Sequence, residues 1–415
     1  MKPEDTEKKR ESRFTRLKLK EIIRGNFLAL LVSWTVWRFS MRLSGPYRSP
    51  FIIEVLKGTP TILGIISSIQ STIRLLVFIP GGAIADNWGR KKIISIFTFF
   101  IAASSLFYVF AVDWTWALAA VIFQSISAIY MPALRATTAD SLPPEYRGIG
   151  FALQSYLPSL PAIFSPMIGA YLIEIYGYNI GTRLAFCIQF ICGIIAATIR
   201  LLFLKETLIK EEEKQEIKET MTASIKVIKE IPIQLKTILI ASIVGEISRV
   251  IDQYRILYAT GVKKLEVMDW GTILSISNAS TIVLGLIIGY LLDRYGKRKI
   301  AAIMGMLLMT STIFFINSYN FQTFLLSMII IGSTRFGASS GLRALQADLT
   351  PRELRGRVNA AGMIIQQLIL IIIGFIAGIG YENNPIIPFL IDLTAALTAT
   401  ILLISIIREP EKRYV

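Results

Sequence analysis

Gly82-Ala83-Ile84-Ala85-Asp86-Asn87-Trp88-Gly89-Arg90-Lys91-Lys92 and Gly289-Tyr290-Leu291-Leu292-Asp293-Arg294-Tyr295-Gly296-Lys297-Arg298-Lys299 are two copies of one short cationic turn. They lie 207 residues apart (82 to 289), and the same offset matches Gly64 with Gly271, Ser68 with Ser275 and Ile93 with Ile300. A second set follows at 208 (135 to 343): Arg135, Asp140, Pro143, Glu145, Arg147 and Gly148 recur as Arg343, Asp348, Pro351, Glu353, Arg355 and Gly356. Two polar motifs in one order inside two apolar halves define a tandem duplication.

Outside those motifs the chain is apolar. Its 415 residues are 53% hydrophobic, with a mean hydropathy of +0.57. Many runs approach the roughly 20 residues that carry a helix across about 30 Å of hydrocarbon. Backbone polar groups in lipid must pair within their own segment, so these runs are expected to be helices, and the alternation of a membrane barrel is absent. The expected fold is an all-α integral membrane protein with twelve transmembrane helices in two pseudo-symmetric six-helix bundles. The spans fall near 26–55, 59–85, 92–112, 114–139, 148–175, 184–205, 236–259, 268–292, 300–319, 322–346, 356–380 and 386–407. The domains that follow are a basic tail (1–25), an N-terminal bundle (26–205), a linker (206–235), a C-terminal bundle (236–407) and a short tail (408–415).

The net charge of +15 would suggest nucleic acid in a soluble chain. Here most of the 44 Lys and Arg fall in the tails and in the loops on the same side as the tails, and only about five in the opposite loops. That bias puts both termini in the cytoplasm and argues against a nucleic-acid partner. The tail's Lys8, Lys9, Arg10, Arg13, Arg16, Lys18, Lys20 and Arg24 suit anionic headgroups, and with no apolar core it is not a cleaved signal. Cys187 and Cys192 share one apolar span, and histidine is absent. Neither a metal site, a cofactor nor a catalytic triad is expected, and a proton relay must run on carboxylates.

Ionisable groups at membrane depth are costly and mark function by default. Arg38 and Arg42 share one face of the first span, Arg74 lies mid-way along the second, and Arg335 mid-way along the tenth. On the seventh span Glu246, Arg249, Asp252 and Arg255 alternate in sign at steps of three. Either this ladder neutralises itself and the other arginines find carbonyls, or these residues line a central cavity whose positive excess favours an anion. Glu246, then Asp252, then Asp392 are the candidates for a coupling carboxylate. Pro158, Pro161 and Pro166 should bend or loosen the fifth span.

The cationic turns resemble the signature between the second and third spans of the major facilitator superfamily. The second copy fits through Gly289, Asp293, Arg294, Gly296 and Lys297, and the first through Gly82, Asp86, Gly89 and Arg90, departing at Asn87. The resemblance implies twelve helices, alternating access and no enzymatic activity. It also implies a cytoplasmic gate in which Asp86 and Asp293 pair across the halves, with Arg147 and Arg355 at the following rim. Independently, Gly82 and Gly289 would let a neighbouring helix approach, and Gly89 and Gly296 would permit a tight turn. Ser165-Pro166-Met167-Ile168-Gly169-Ala170 resembles a degraded form of the family's exporter element, while Val121 stands where exporters carry an arginine.

The expected function is secondary transport of a small solute, a small organic anion first, with protons as the coupling ion and the protein a monomer in the cell membrane. A proton-driven exporter of amphipathic or toxic compounds is the alternative. A non-transporting sensor or scaffold of the same fold is the alternative of another class.

Overall fold

The computed structural model describes residues 22–208, 230–351 and 354–407, excepting the side chains of 78–83 and 85–87. Most of the basic tail, most of the linker, the C-terminal tail, the surroundings of Gly82 and the side chain of Asp86 therefore lie outside what is described. Helices make up nearly all the rest. In the first half they are α1 (Gly25–Ser44), α2 (Pro60–Trp88), α3 (Arg90–Val109), α4 (Trp114–Ser127), α5 (Met131–Asp140), α6 (Arg147–Tyr156) and α7 (Ser165–Phe203). In the second they are α8 (Ile233–Gly245), α9 (Ile247–Ile256), α10 (Val267–Tyr295), α11 (Lys297–Ile316), α12 (Phe321–Leu349), α13 (Arg355–Asn383) and α14 (Ile387–Ser405).

Nine helical stretches among the described residues are long and apolar enough to cross a membrane. One of them spans Pro161–Phe203 and changes direction at Gly177, whose φ of 73° and ψ of 167° no helix contains. Two other rods are interrupted. After α1 the chain runs on through a 3-10 turn and a π-helical turn to Val55, and α8 passes through a break at Glu246 into α9 and a π-helical turn, Leu257–Val262. Pro158 and Pro161 sit at two 3-10 turns, Leu157–Ser159 and Pro161–Ile163, because proline supplies no N–H to an α-helical ladder, and Pro166 stands in the first turn of α7, where none is needed. Three helix starts are capped by side chains: Thr59 accepts from Ile62 N–H, Asp113 from Thr115 N–H, and Asn320 and Thr323 form a capping box.

One face of the molecule carries the turns at Gly89 and Gly296 together with the loops after α5, α7 and α12; the opposite face carries the turns before α2, α4, α10, α12 and α14. The two halves are fused near this opposite face. One apolar cluster there includes Tyr47, Phe51, Leu63 and Phe186 from the first half and Tyr254, Trp270, Phe315 and Phe389 from the second. Toward the turn-bearing face the cores are separate: Leu30, Ile94, Leu134 and Ala196 in one half, Ile238, Leu342, Leu345 and Leu403 in the other.

Two seams join the halves, and the duplicated residues build both. In the α2–α13 seam a Cβ on Gly64 would stand 2.5 Å from the Gly374 carbonyl and 2.8 Å from Gly378 Cα. One turn on, Ser68 Oγ donates to the Ile371 carbonyl at 2.6 Å. In the α7–α10 seam a Cβ on Gly271 would stand 2.5 Å from Ala170 Cβ and 2.9 Å from the Pro166 carbonyl. Ser275 Oγ there accepts from Met167 N–H at 3.3 Å. Backbones this close maximise dispersion contact between helices that have no hydrophobic drive toward each other in lipid.

On the turn-bearing face, Gly89 and Gly296 take φ of 90° and 100°, which glycine reaches without a Cβ clash. The predicted reason for Gly289 does not hold: a Cβ there would meet nothing within 4 Å. This glycine lies on a side of α10 that no described residue approaches closely. Within each half, repeat-related ion pairs tie the start of one helix to the end of another: Arg90 with Asp140, and Lys297 with Asp348 at 2.5 Å. Glu206, just past α7, caps α3. Its carboxylate accepts from Arg90 N–H and Lys91 N–H, both at 3.1 Å, and from Thr207 N–H and Leu208 N–H, both at 3.0 Å. Burial alone would push this carboxyl up, but the backbone donors of Leu208, Lys91, Thr207 and Arg90 outweigh it and hold it below the usual glutamate value.

Gly64→Leu should weaken the α2–α13 seam by about 1–3 kcal/mol, the usual cost of overpacking. A lowered unfolding temperature of the detergent-solubilised protein checks it, with Gly289→Leu, which no described residue approaches closely, as the neutral control. Because the Glu206 carboxyl is depressed in the folded chain, its stabilisation is full above about pH 4.3 and is lost as pH falls through the lower folded value. Thermal unfolding across that acid range should therefore fall more steeply for the wild-type protein than for Glu206→Gln.

Candidate functional site

Between the two separated cores lies a cavity of about 630 Å³, within the few hundred to 1,000 Å³ range of small-molecule sites. Its wall in the first half comes from α1 (Trp34, Trp37, Met41), α2 (Arg74) and the α4–α5 region (Gln124, Tyr130, Arg135). The second half supplies Glu246, Arg249, Arg335, Arg343, Gln346 and Gln366. Arg135 and Arg343 are exposed near the turn-bearing face, whereas the seams shut the opposite face. The cavity thus opens toward the side that carries the duplicated cationic turns.

Of the seven predicted pathway residues, Arg74, Glu246, Arg249 and Arg335 line this cavity. Glu246 pairs with Arg249 at 2.7 Å where the helix breaks between α8 and α9. Asp252 is not among the lining residues but is exposed on α9, and it accepts from Arg335 Nη1 at 2.6 Å and from Arg255 Nε at 3.1 Å. Arg255 in turn donates to Asp392 at 2.6 Å, and both are 1% exposed; Ser248 donates to the other Asp392 oxygen. The remaining Arg255 surface lies over the Phe315 and Phe389 rings, at 5.2 and 5.8 Å. Burial of two charges is tolerated here because each is matched by an opposite charge and by further donors or rings. The chain Arg335–Asp252–Arg255–Asp392 runs from the cavity wall into the packing of α9 against α14.

Arg38 and Arg42 are not among the cavity-lining residues. Arg38 turns to the loosened stretch after α6, donating to the Ser155 carbonyl and to Ser159 Oγ, both at 2.6 Å. Missing helical hydrogen bonds around Pro158 leave acceptors free there, so the proline signal and the arginine signal explain each other.

At the turn-bearing face, Arg147 Nε donates to the Ala139 carbonyl at 3.2 Å, and Arg355 donates to the Thr350 and Ala347 carbonyls at 3.2 and 3.1 Å. Both arginines thus satisfy carbonyls at helix C-termini. Asp293 is exposed, and Arg294 donates to the Tyr290 hydroxyl. With the halves apart at this face, Asp293 stands clear of the packed seams.

Sequence reasoning missed three contributors. Arg135 and Arg343 stood out as repeat partners, but only their position at the cavity mouth assigns them to the wall. Arg200, in α7, is 1% exposed and stands behind Trp34 and Tyr130. The rule that flagged the other intramembrane charges applies to it equally.

A family model, the Major Facilitator Superfamily, matches residues 27–375 and 259–414. A Bacillus subtilis "uncharacterized MFS-type transporter" is 25% identical over 34% of this chain and 36% of its own length. One from Methanocaldococcus jannaschii is 25% identical over 73% of this chain and 78% of its own length. Among solved structures, the nucleoside transporter NupG superposes with a TM-score of 0.67 at 15% identity, covering 92% of this chain and 98% of that one. The human organic anion transporter MFSD10 gives 0.62 at 14% identity, covering 92% and 99%. A bacterial homolog of the human lysosomal transporter Spinster, in an inward-facing and unoccupied conformation, gives 0.62 at 14% identity, covering 91% and 93%. Identities this low speak to fold alone, but with the family model matching nearly end to end, the chain belongs to the Major Facilitator Superfamily.

Proposed function

We propose that this protein is a secondary transporter of small organic anions, alternating access to the cavity between its halves, with twelve helices crossing the cell membrane. The observation that carries the reading is the charge of the wall. Arg74, Arg135, Arg249, Arg335 and Arg343 line the cavity against one carboxylate, Glu246, already paired with Arg249. A low-dielectric cleft with that balance concentrates anions, and guanidinium forks suit carboxylate or phosphate. The positive-inside bias sets the open side as cytoplasmic, so the conformation described is inward-facing. Two bundles joined by close glycine seams at one face can rock about them and exchange which face is open.

Coupling to protons follows from the ion-pair chain. A solute carboxylate that takes over the Arg335 guanidinium leaves Asp252 with Arg255 alone, and a proton arriving on Asp252 keeps the charge in balance. Release of the anion returns Arg335 to Asp252 and expels the proton. Glu246 and Arg249 offer the same exchange at the wall. Asp392 is sealed beneath Arg255 and supports the chain from behind.

Arg74→Ala should weaken anion binding about tenfold or more, the worth of one charge-assisted hydrogen bond. Calorimetry or ligand-induced thermal shift on purified protein measures it, and unchanged affinity would remove the basic-cavity reading. In proteoliposomes, wild-type flux should follow an imposed pH gradient, while Asp252→Asn should keep counterflow exchange of the anion and lose its response to that gradient. A wild-type protein that gives no solute flux under any gradient would instead be a scaffold with a transporter's fold.

A further inference from the structure

Arg200 is the largest fully buried side chain of the first half, at 1% exposure, and its neighbours are unusual for a cation. Its Nε donates to Ser33 Oγ at 3.0 Å and its Nη1 to Thr98 Oγ1 at 2.8 Å; Nη2 has no hydrogen-bond partner among the described residues. No described ion pair includes it. In place of a carboxylate, its guanidinium meets two rings, with centroids at 5.3 Å for Trp34 and 5.7 Å for Tyr130. Both rings line the cavity, and Arg200 does not. Arg38 adds a second guanidinium at 5.8 Å from the Trp34 ring.

A cation gathers to itself the negative potential of a π cloud. Rings already holding one or two guanidiniums have little left to offer a further cation, and they become better partners for an electron-rich ring. The cavity therefore has a shelf of cation-backed aromatics in its first half, on the same wall as Arg74. We infer that the transported anions are aromatic: a planar ring rests against Trp34, with Tyr130 packed beside it at 3% exposure, while its carboxylate or phosphate meets Arg74, and Arg200 makes the shelf reject aromatic cations. This rests on the anion reading above and narrows it. Arg200 touches no solute; it positions and polarises the two rings.

The test is isothermal titration of the full-length purified protein with sodium benzoate, sodium cyclohexanecarboxylate and benzyltrimethylammonium chloride. The two acids share charge and near-equal size and differ in the ring. Wild-type protein should bind benzoate about five-fold more tightly than cyclohexanecarboxylate, and should not bind benzyltrimethylammonium. Trp34→Leu should bring the ratio of the two acids to about one. Arg200→Met should lower that ratio and admit the cation, a gain that a purely structural role for Arg200 would not produce. Equal affinity for the two acids in the wild-type protein overturns the aromatic shelf while leaving the basic cavity standing. So does a ratio that survives both Trp34→Leu and Tyr130→Leu. If neither acid binds, or both bind Arg74→Ala as they bind wild type, the basic cavity fails and the shelf with it. If a variant does not fold, the wild-type ratio and the exclusion of benzyltrimethylammonium decide.

Discussion

The approach of backbone to backbone at Gly64 and Gly271 is the constraint on which the rest of the structure depends. Neither site has room for one more carbon beside the facing helix. Each is followed one turn later by a serine that hydrogen-bonds across to the other half. The two seams hold the halves together at a single face, where one apolar cluster spans both. Everything toward the other face follows: separate cores, a cleft between them, and a wall left in contact with solvent. The site exists because the close seams described between the halves lie toward one face.

Duplication gave the halves the same skeleton and left them free to handle buried charge differently. In the second half Arg255 is matched by Asp252 and Asp392, so its burial is offset by full opposite charges. In the first half Arg200 has hydroxyls and ring faces instead. The first solution builds a relay of exchangeable ion pairs leading to the cavity; the second leaves a fixed positive charge, with no carboxylate partner among the described residues, behind an aromatic wall. A cleft between two such halves is asymmetric in chemistry although its scaffold is a repeat. One wall can trade partners and protons while the other presents a surface of constant character.

At the turn-bearing face the same duplication acts on stability. Arg90 with Asp140 and Lys297 with Asp348 tie each bundle to itself, and the rim arginines Arg147 and Arg355 close helix C-termini. These contacts lie within halves, so they survive a rocking motion that separates the halves from one another. The Glu206 cap likewise joins α7 to α3 inside the first half. Rigid bundles with few cross-links at the open end are what a movement of whole bodies requires.

The sequence by itself determined the helical class, the repeat and the list of costly charges. Those follow from local rules: hydropathy over about 20 residues, the need of backbone groups in lipid for partners, and the offset between the copies. Tertiary structure decided which charges matter together. Arg38 and Arg74 look alike along the chain, yet one finds the acceptors freed around Pro158 and the other lines the cavity. Gly64 and Gly289 look alike as helix glycines, yet only the first meets another backbone. The pairing of Asp392 with Arg255 joins residues 137 apart, and the placing of Arg200 behind Trp34 joins α7 to α1. Distances of that kind are set by how the rods pack, and no local pattern in the chain encodes them.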